Sequence, residues 1–323
     1  MYLTNEQLDS YEREGYLVLP DYFSEDEVDI LRSEVPPIFG EDTPRRILER
    51  SGAVRTVFAS HITNEAFRRF SRLPRLVEPA RQILRSDVYI HQFKINAKVA
   101  LEGDQWEWHQ DFLYWHKEDK MPSPRVLTAV LFLNQVTDFN GPLLVIPGSH
   151  NEGMVDVGSY EIGHGNGNGH GNGNGNGNGN GNSNGNGNGN GAHKSNGSAA
   201  PAWMSTLTAD LKYKINKSIL GRLLSQRDIR AIKCQAGSVL FFHGNLFHAS
   251  ANNLSSLDRI CVFVTYNSTE NALGETISPR PEYIAYRDFT PITTLSDSAL
   301  MGLAMSGERL PNPVVTEPLI VVR

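Results

Sequence analysis

The chain reads as a mainly β protein, with a double-sheet core and helices packed outside it. Three observations predict this. Stretches that alternate in polarity and are rich in β-branched and aromatic residues recur from residue 87 onward. Gly, Pro and Asn turns separate them, as in a sandwich or barrel. Helical patterns come before the strands instead of alternating with them, which argues against a parallel α/β sheet.

Taken in order, Thr4 with Gln7 and Ser24 with Glu27 each form a capping-box pattern, so two helices open the chain. Between them GYLVLPDYF predicts a short strand ending at Pro20. Residues 64–85 read as a helix broken near Pro74. The predicted strands are DVYIHQFKINAKVA (87–100), VLTAVLFLNQV (126–136), GPLLVIPGSH (141–150), GSVLFFHG (237–244) and RICVFVTYN (259–267). The Asn/Gly-rich stretch 163–198 interrupts them. Its repeat has no apolar side chain to bury, and Gly has the largest ordering entropy, so it reads as a disordered insert within one domain, 1–323. Its histidines, His164, His170 and His193, are too sparse for a metal site. Residues 204–229 again look helical.

Composition excludes several classes. The net charge is -6 and no Lys/Arg run is present, so neither nucleic acid nor anionic membrane is expected as a partner. No apolar run reaches about 18 residues, and the N-terminus lacks a signal-peptide pattern. Cys234 and Cys261 make no disulfide framework and fit a reducing cytoplasm. A small-molecule substrate is expected, for a cytoplasmic monomer or homodimer.

WHQDFLYWH (108–116) carries the chemistry. If WHQDF is a strand, His109 and Asp111 share one face and Gln110 points away. An imidazole and a carboxylate supply part of a ligand set for Fe(II), Zn(II) or Mn(II). An HxD alone reads first as a half-buried histidine bonded to an aspartate. Downstream, spacing alone leaves both His243 and His248 open as a third ligand. Arg259, eleven residues beyond His248, has the planar fork that pairs with a carboxylate; its plainer reading is a surface pair with Asp258.

HxD (His109, Asp111), HAS (248–250), NLS (253–255) and Arg259 together resemble the phytanoyl-CoA dioxygenase superfamily of Fe(II)/2-oxoglutarate oxygenases. The resemblance implies a double-stranded β-helix (jelly-roll, cupin-like), with His248 as the third ligand and His116 and His243 outside the set. It implies Fe(II), 2-oxoglutarate and O₂ as requirements, with ascorbate in support. Residues 90–125 and 139–153 are similar to the ectoine hydroxylase group. Residues 46–61, 89–96 and 280–292 are similar to leucine 5-hydroxylases of that group, which act on the free amino acid and supply natural-product pathways. The resemblance implies that Asn96 and Arg259 hold 2-oxoglutarate, that Thr128 places a hydroxyl near the same carboxylate, and that Ser250 adds a bond. It implies that Gln92, Trp115 and Arg280 line the substrate pocket. Asp111 implies hydroxylation, since halogenases of the superfamily carry Ala or Gly there. The insert follows SHNEG, near the mouth of the site in relatives, and departs from the family's pattern.

A zwitterionic substrate needs a cation and an acceptor. Arg280, Glu282, Arg287, Asp288, Lys94 and Glu107 are candidates, and Phe112, Trp115 and Val130 would suit an aliphatic side chain. The expected reaction is hydroxylation of a free aliphatic L-amino acid, leucine at C5 first. Ectoine, proline or a carrier-bound substrate is the alternative. A barrel that binds without catalysing is the reading from another class, and the complete ligand set argues against it.

Overall fold

The computed structural model describes residues 2–155 and 211–306. The expected insert at 163–198 and its histidines lie outside the described residues. Of the helical stretch expected at 204–229, only the part from 211 onward is described.

Both capping boxes form. Thr4 caps α1 (Asn5–Glu14) and Ser24 caps α2 (Glu25–Gly40), each with its N3 side chain returning to the cap backbone. β1 (Tyr16–Leu19) lies between them. β2 (Arg46–Leu48) and β3 (Val54–Phe58) follow, then α3 (Ser60–Thr63), α4 (Glu65–Phe70) and α5 (Pro74–Leu84), with Pro74 at the start of the last. The remainder runs β4 (Val88–Lys98), β5 (Trp106–His109), α6 (Asp111–Asp119), β6 (Val126–Phe132), β7 (Leu143–Val145), α7 (Lys217–Leu224), β8 (Arg230–Ile232), β9 (Val239–His243), β10 (His248–Ser250), β11 (Arg259–Ser268) and α8 (Met301–Ser306). No described helix is long and apolar enough to cross a membrane.

Two antiparallel sheets form, in the orders β1-β9-β6-β11-β4-β3-β2 and β5-β10-β7-β8. Alternation assigns each face of the larger sheet. Leu19, Val239, Leu131, Val262, Ile95 and Val57 stand side by side across it. They pack with Val28, Leu31 and Val35 of α2 and Leu76, Val77 and Ala80 of α5. Each such side chain contributes about 1.5–3 kcal/mol on burial. The opposite face meets the smaller sheet through Val130, Phe132, Leu240 and Phe242 against Leu143, Val145 and Ile232.

That inner face changes character along β4. Gln92, Lys94, Asn96 and Lys98 point the same way, opposite Thr265, Phe263, Cys261 and Arg259 of β11. A row of polar side chains therefore lines the interior of an otherwise apolar barrel, and the functional residues stand on it.

Candidate metal centre

His109 ends β5 and His248 begins β10, and the two are register partners in the smaller sheet. Their rings lie 4.2 Å apart. Nδ1 of each ring approaches a backbone oxygen two residues earlier, Glu107 O at 2.6 Å and Leu246 O at 2.9 Å. A carbonyl can only accept, so both protons sit on Nδ1 and both Nε2 lone pairs are free to bind a metal. Each Nε2 faces the Asp111 carboxylate, at 3.6 Å from His109 and 3.8 Å from His248. One ligand atom from each of the three lies within 4.8 Å of the others. This is the two-histidine, one-carboxylate set that leaves coordination positions open for Fe(II) chemistry.

The strand reading of WHQDF holds only to His109. Gln110 leaves the strand and Asp111 is the first residue of α6. The helix start has no side-chain cap. Instead Phe112 N donates to Gly244 O at 2.9 Å, and the Asp111 carboxylate stands at the positive end of the helix. Gln110 does point away, with its amide donating to Gly153 O and Asn245 O at 2.7 and 2.8 Å.

Electrostatics favour the ligating forms. Burial alone would raise the Asp111 carboxyl, but Lys94 and the two histidines hold it well below the ordinary range. Burial, with His109 alongside, pushes His248 down to about 4, so its imidazole is neutral.

His243 stands elsewhere. It is opposite Leu127 on the outward-facing alternation of β9, its Nδ1 accepts from Asn245 N at 3.0 Å, and its ring lies 5.3 Å from His150. His116 is on α6, bonded to Met121 O at 2.9 Å.

Arg259 is 1 % exposed, and among the described residues its Nε and Nη1 have no hydrogen-bond partner. The expected alternative, a surface pair with Asp258, does not form; Asp258 accepts from Ala100 N at 2.8 Å. Ser250, two residues past His248 on the same strand, also has a buried, unpartnered hydroxyl. A buried guanidinium without a partner is costly, and an incoming carboxylate supplies what is missing. Lys98 stands opposite Arg259, and sequence reasoning missed it. It is fully buried, and burial, then Arg259 and Arg55, push its ammonium down to about 6. A Cβ on Gly141, which has φ +74°, would meet Lys98 Cδ at 2.7 Å, so the close approach requires glycine. The period-2 pattern Gln92, Lys94, Asn96, Lys98 was the available signal.

Asn96 faces the same interior, its Oδ1 accepting from Thr56 Oγ1 at 2.7 Å. Thr128 corrects an expectation. It stands opposite Thr265, six residues along β11 from Arg259, which is about 20 Å at the usual strand rise. It cannot share one carboxylate with Arg259. Its hydroxyl is 3.0 Å from Thr265 Oγ1, and the ring of its neighbour Phe242 lies tilted with its centroid 5.0 Å from that of His248, so it belongs to the metal end of the row.

The expected substrate-side residues come together. Gln92 donates to Ile284 O at 2.8 Å. Trp115 stands edge-on to His91, ring centroids 5.4 Å apart. Phe112 and Trp115 pack with Met121, Val126, Leu273 and Ala285, whereas Val130 belongs to the core between the sheets. Arg280 is buried, and its Nε donates to Asp119 Oδ1 at 2.8 Å. Glu107 is taken up by Leu211 N and Lys214 Nζ, each at 3.3 Å. Glu282 and Asp288 are exposed.

The phytanoyl-CoA dioxygenase (PhyH) family model matches residues 11–171 and 202–261. An L-proline trans-4-hydroxylase of Streptomyces griseoviridis is 34% identical over 291 residues, covering 90% of this chain and 95% of the relative. An ectoine dioxygenase of Bordetella bronchiseptica is 34% identical over 293 residues, covering 88% of this chain and 83% of the relative. A crystal structure of EctD from S. alaskensis with 2-oxoglutarate and 5-hydroxyectoine superposes with a TM-score of 0.69 at 26% identity, covering 91% of this chain and 88% of that one. The chain belongs to the phytanoyl-CoA dioxygenase family and is an iron(II)- and 2-oxoglutarate-dependent dioxygenase.

Proposed function

We propose that the protein hydroxylates an unactivated C–H bond of a free aliphatic L-amino acid, leucine at C5 first, for a natural-product pathway. The observation that carries this reading is the pairing of two kinds of wall beside one metal centre. Phe112 and Trp115 offer apolar surface, and Arg280, whose charge Asp119 favours, offers a cation for a substrate carboxylate. Iron, 2-oxoglutarate and O₂, when bound, would supply the oxidant that takes the hydrogen, one oxygen atom ending in succinate as CO₂ leaves and the other in the product hydroxyl.

The chain's own residues do the rest. His109, Asp111 and His248 hold the metal, with both imidazoles fixed in one tautomer by backbone oxygens. Arg259, with Lys98 beside it, takes the distal carboxylate of 2-oxoglutarate; Ser250 and Asn96 add donors. Lys94, whose ammonium lies 5.1 Å from the Phe263 ring centroid, faces Asp111 from the same polar row and holds negative charge near the metal. Gln92, Phe112, Trp115 and Arg280 orient the substrate and exclude water. Proline is the second reading, favoured by the 34% identity to an L-proline trans-4-hydroxylase.

The test is turnover with Fe(II), 2-oxoglutarate and ascorbate under air, against the twenty L-amino acids and ectoine, with mass detection of a +16 product. A leucine-dependent product is expected. A product from proline alone would transfer the assignment, and no product from any of them would contradict a free-amino-acid substrate.

A further inference from the structure

We propose that Asp119 is the positioning residue that fixes Arg280 relative to the metal centre, and so selects which carbon of a carboxylate-bearing substrate is hydroxylated. This deepens the reading above and rests on it. The inference begins with α6. The helix starts at the metal ligand Asp111 and ends at Asp119, where Lys120 turns into the left-handed region at φ 60°. Eight helical steps set the two backbone positions about 12 Å apart along the axis.

Asp119 is fully buried and spends both oxygens nearby. Oδ1 accepts from Arg280 Nε at 2.8 Å, and Oδ2 accepts from Arg280 Nη2. His91 Nε2 lies 3.4 Å from Oδ2. Among the described residues, the forked pair leaves the Nη1 donors of Arg280 for a ligand. Arg280 itself stands in a stretch without regular secondary structure. That stretch is tied to β4 by Gln92 Nε2 to Ile284 O and by Tyr286 N to His91 O, both 2.8 Å.

β4 carries one extra residue here. Thr265 faces Gln92 and Tyr266 faces Ile90, so His91 is the bulged residue, and a bulge re-aims a side chain. Its ring meets both Asp119 and Trp115. Metal ligand, apolar wall and the carboxylate that holds Arg280 are therefore carried by one helix. A substrate held by its carboxylate on Arg280 presents to the metal the carbon that this span dictates.

The test compares wild type, Asp119→Glu and Asp119→Asn. Glu keeps the charge and moves the carboxylate by about 1.5 Å, one carbon–carbon bond. Misplacement of about 1 Å can cost on the order of 100-fold in a reaction. The visible absorption of the anaerobic Fe(II)–2-oxoglutarate complex is expected to match wild type in both variants. KM for the substrate is expected to rise by about 10-fold or more, with Glu altering the ratio of hydroxylated regioisomers. Unchanged KM and regioisomer ratio would overturn the proposal. Loss of the absorption together with turnover would reduce Asp119 to a general structural role and overturn it too. Wild type that hydroxylates no carboxylate-bearing candidate would instead refute the underlying reading, and the proposal with it.

Discussion

Replacing Arg259 with Met should move stability and co-substrate affinity in opposite directions. The guanidinium is 1 % exposed, with Nε and Nη1 unpartnered. Each buried polar group left without a hydrogen bond costs about 1–3 kcal/mol. Met fills much of the same volume without that cost, so the protein free of ligand should gain stability, by about 2–4 °C in Tm per kcal/mol. Binding should suffer, because truncating one partner of a buried charge pair costs about 2–5 kcal/mol. That corresponds to roughly 30-fold to several thousand-fold in Kd. Lys98 moderates the loss. Arg259 is one of the groups that push its ammonium down to about 6, so removing Arg259 lets Lys98 protonate more fully and keep part of the carboxylate's hold. A loss of about 100-fold is expected. Anaerobic titration of the Fe(II)-loaded protein with 2-oxoglutarate gives Kd, and thermal unfolding without ligand gives Tm. A variant that is less stable than wild type yet binds 2-oxoglutarate within about threefold would refute the assignment.

Other outcomes follow from the same geometry. His248→Ala should abolish Fe(II) binding and turnover, while His243→Ala keeps most of both; the reverse pattern in a metal titration would show that the wrong histidine was chosen. His61 is buried, and burial together with Arg72, Arg68 and Arg45 pushes it down to about 3. Its folded value lies below the unfolded 6.5, so its contribution is complete above pH 6.5 and is lost as pH falls toward 3. That loss is on the order of 5 kcal/mol. His61→Gln should flatten the fall in Tm between pH 6.5 and 4, and an unchanged slope would remove His61 from the account. Deleting residues 165–191 should leave Tm and Fe(II) affinity unchanged, since the stretch offers no apolar side chain to a core. An unfolded product would give the insert a structural role.

Much of the fold was legible because local chemistry and tertiary packing agree. The Thr4 and Ser24 capping boxes and the break at Pro74 are short-range signals, and all three stand in the structure. The alternation of β4 was equally plain, and it carries Lys98 onto the same face as Asn96. β2 and β3 were not predicted as strands. Their pattern is masked by Glu49 and Arg55, which look like surface residues but form a buried pair at 2.9 Å, with Arg55 stacked 3.6 Å over Trp106. The helix beginning at Asp111 was hidden because no capping residue announces it; a tertiary bond from Phe112 N replaces the cap. His243 and His248 could not be separated by spacing. Register separates them, since His243 follows the outward alternation of β9 while His248 pairs with His109. The role of Asp119 left no mark in the sequence, because its partners Arg280 and His91 are 161 and 28 positions away.

The most direct test of the central claim is oxygen accounting under ¹⁸O₂ with Fe(II), 2-oxoglutarate and L-leucine. A leucine hydroxylase of this class gives succinate and hydroxyleucine in equal amounts, with one atom of label in each. Succinate formed without any labelled hydroxy product would preserve the iron and 2-oxoglutarate site and discard leucine. No succinate from protein shown to bind Fe(II), with any carboxylate-bearing candidate, would contradict the account of the site itself.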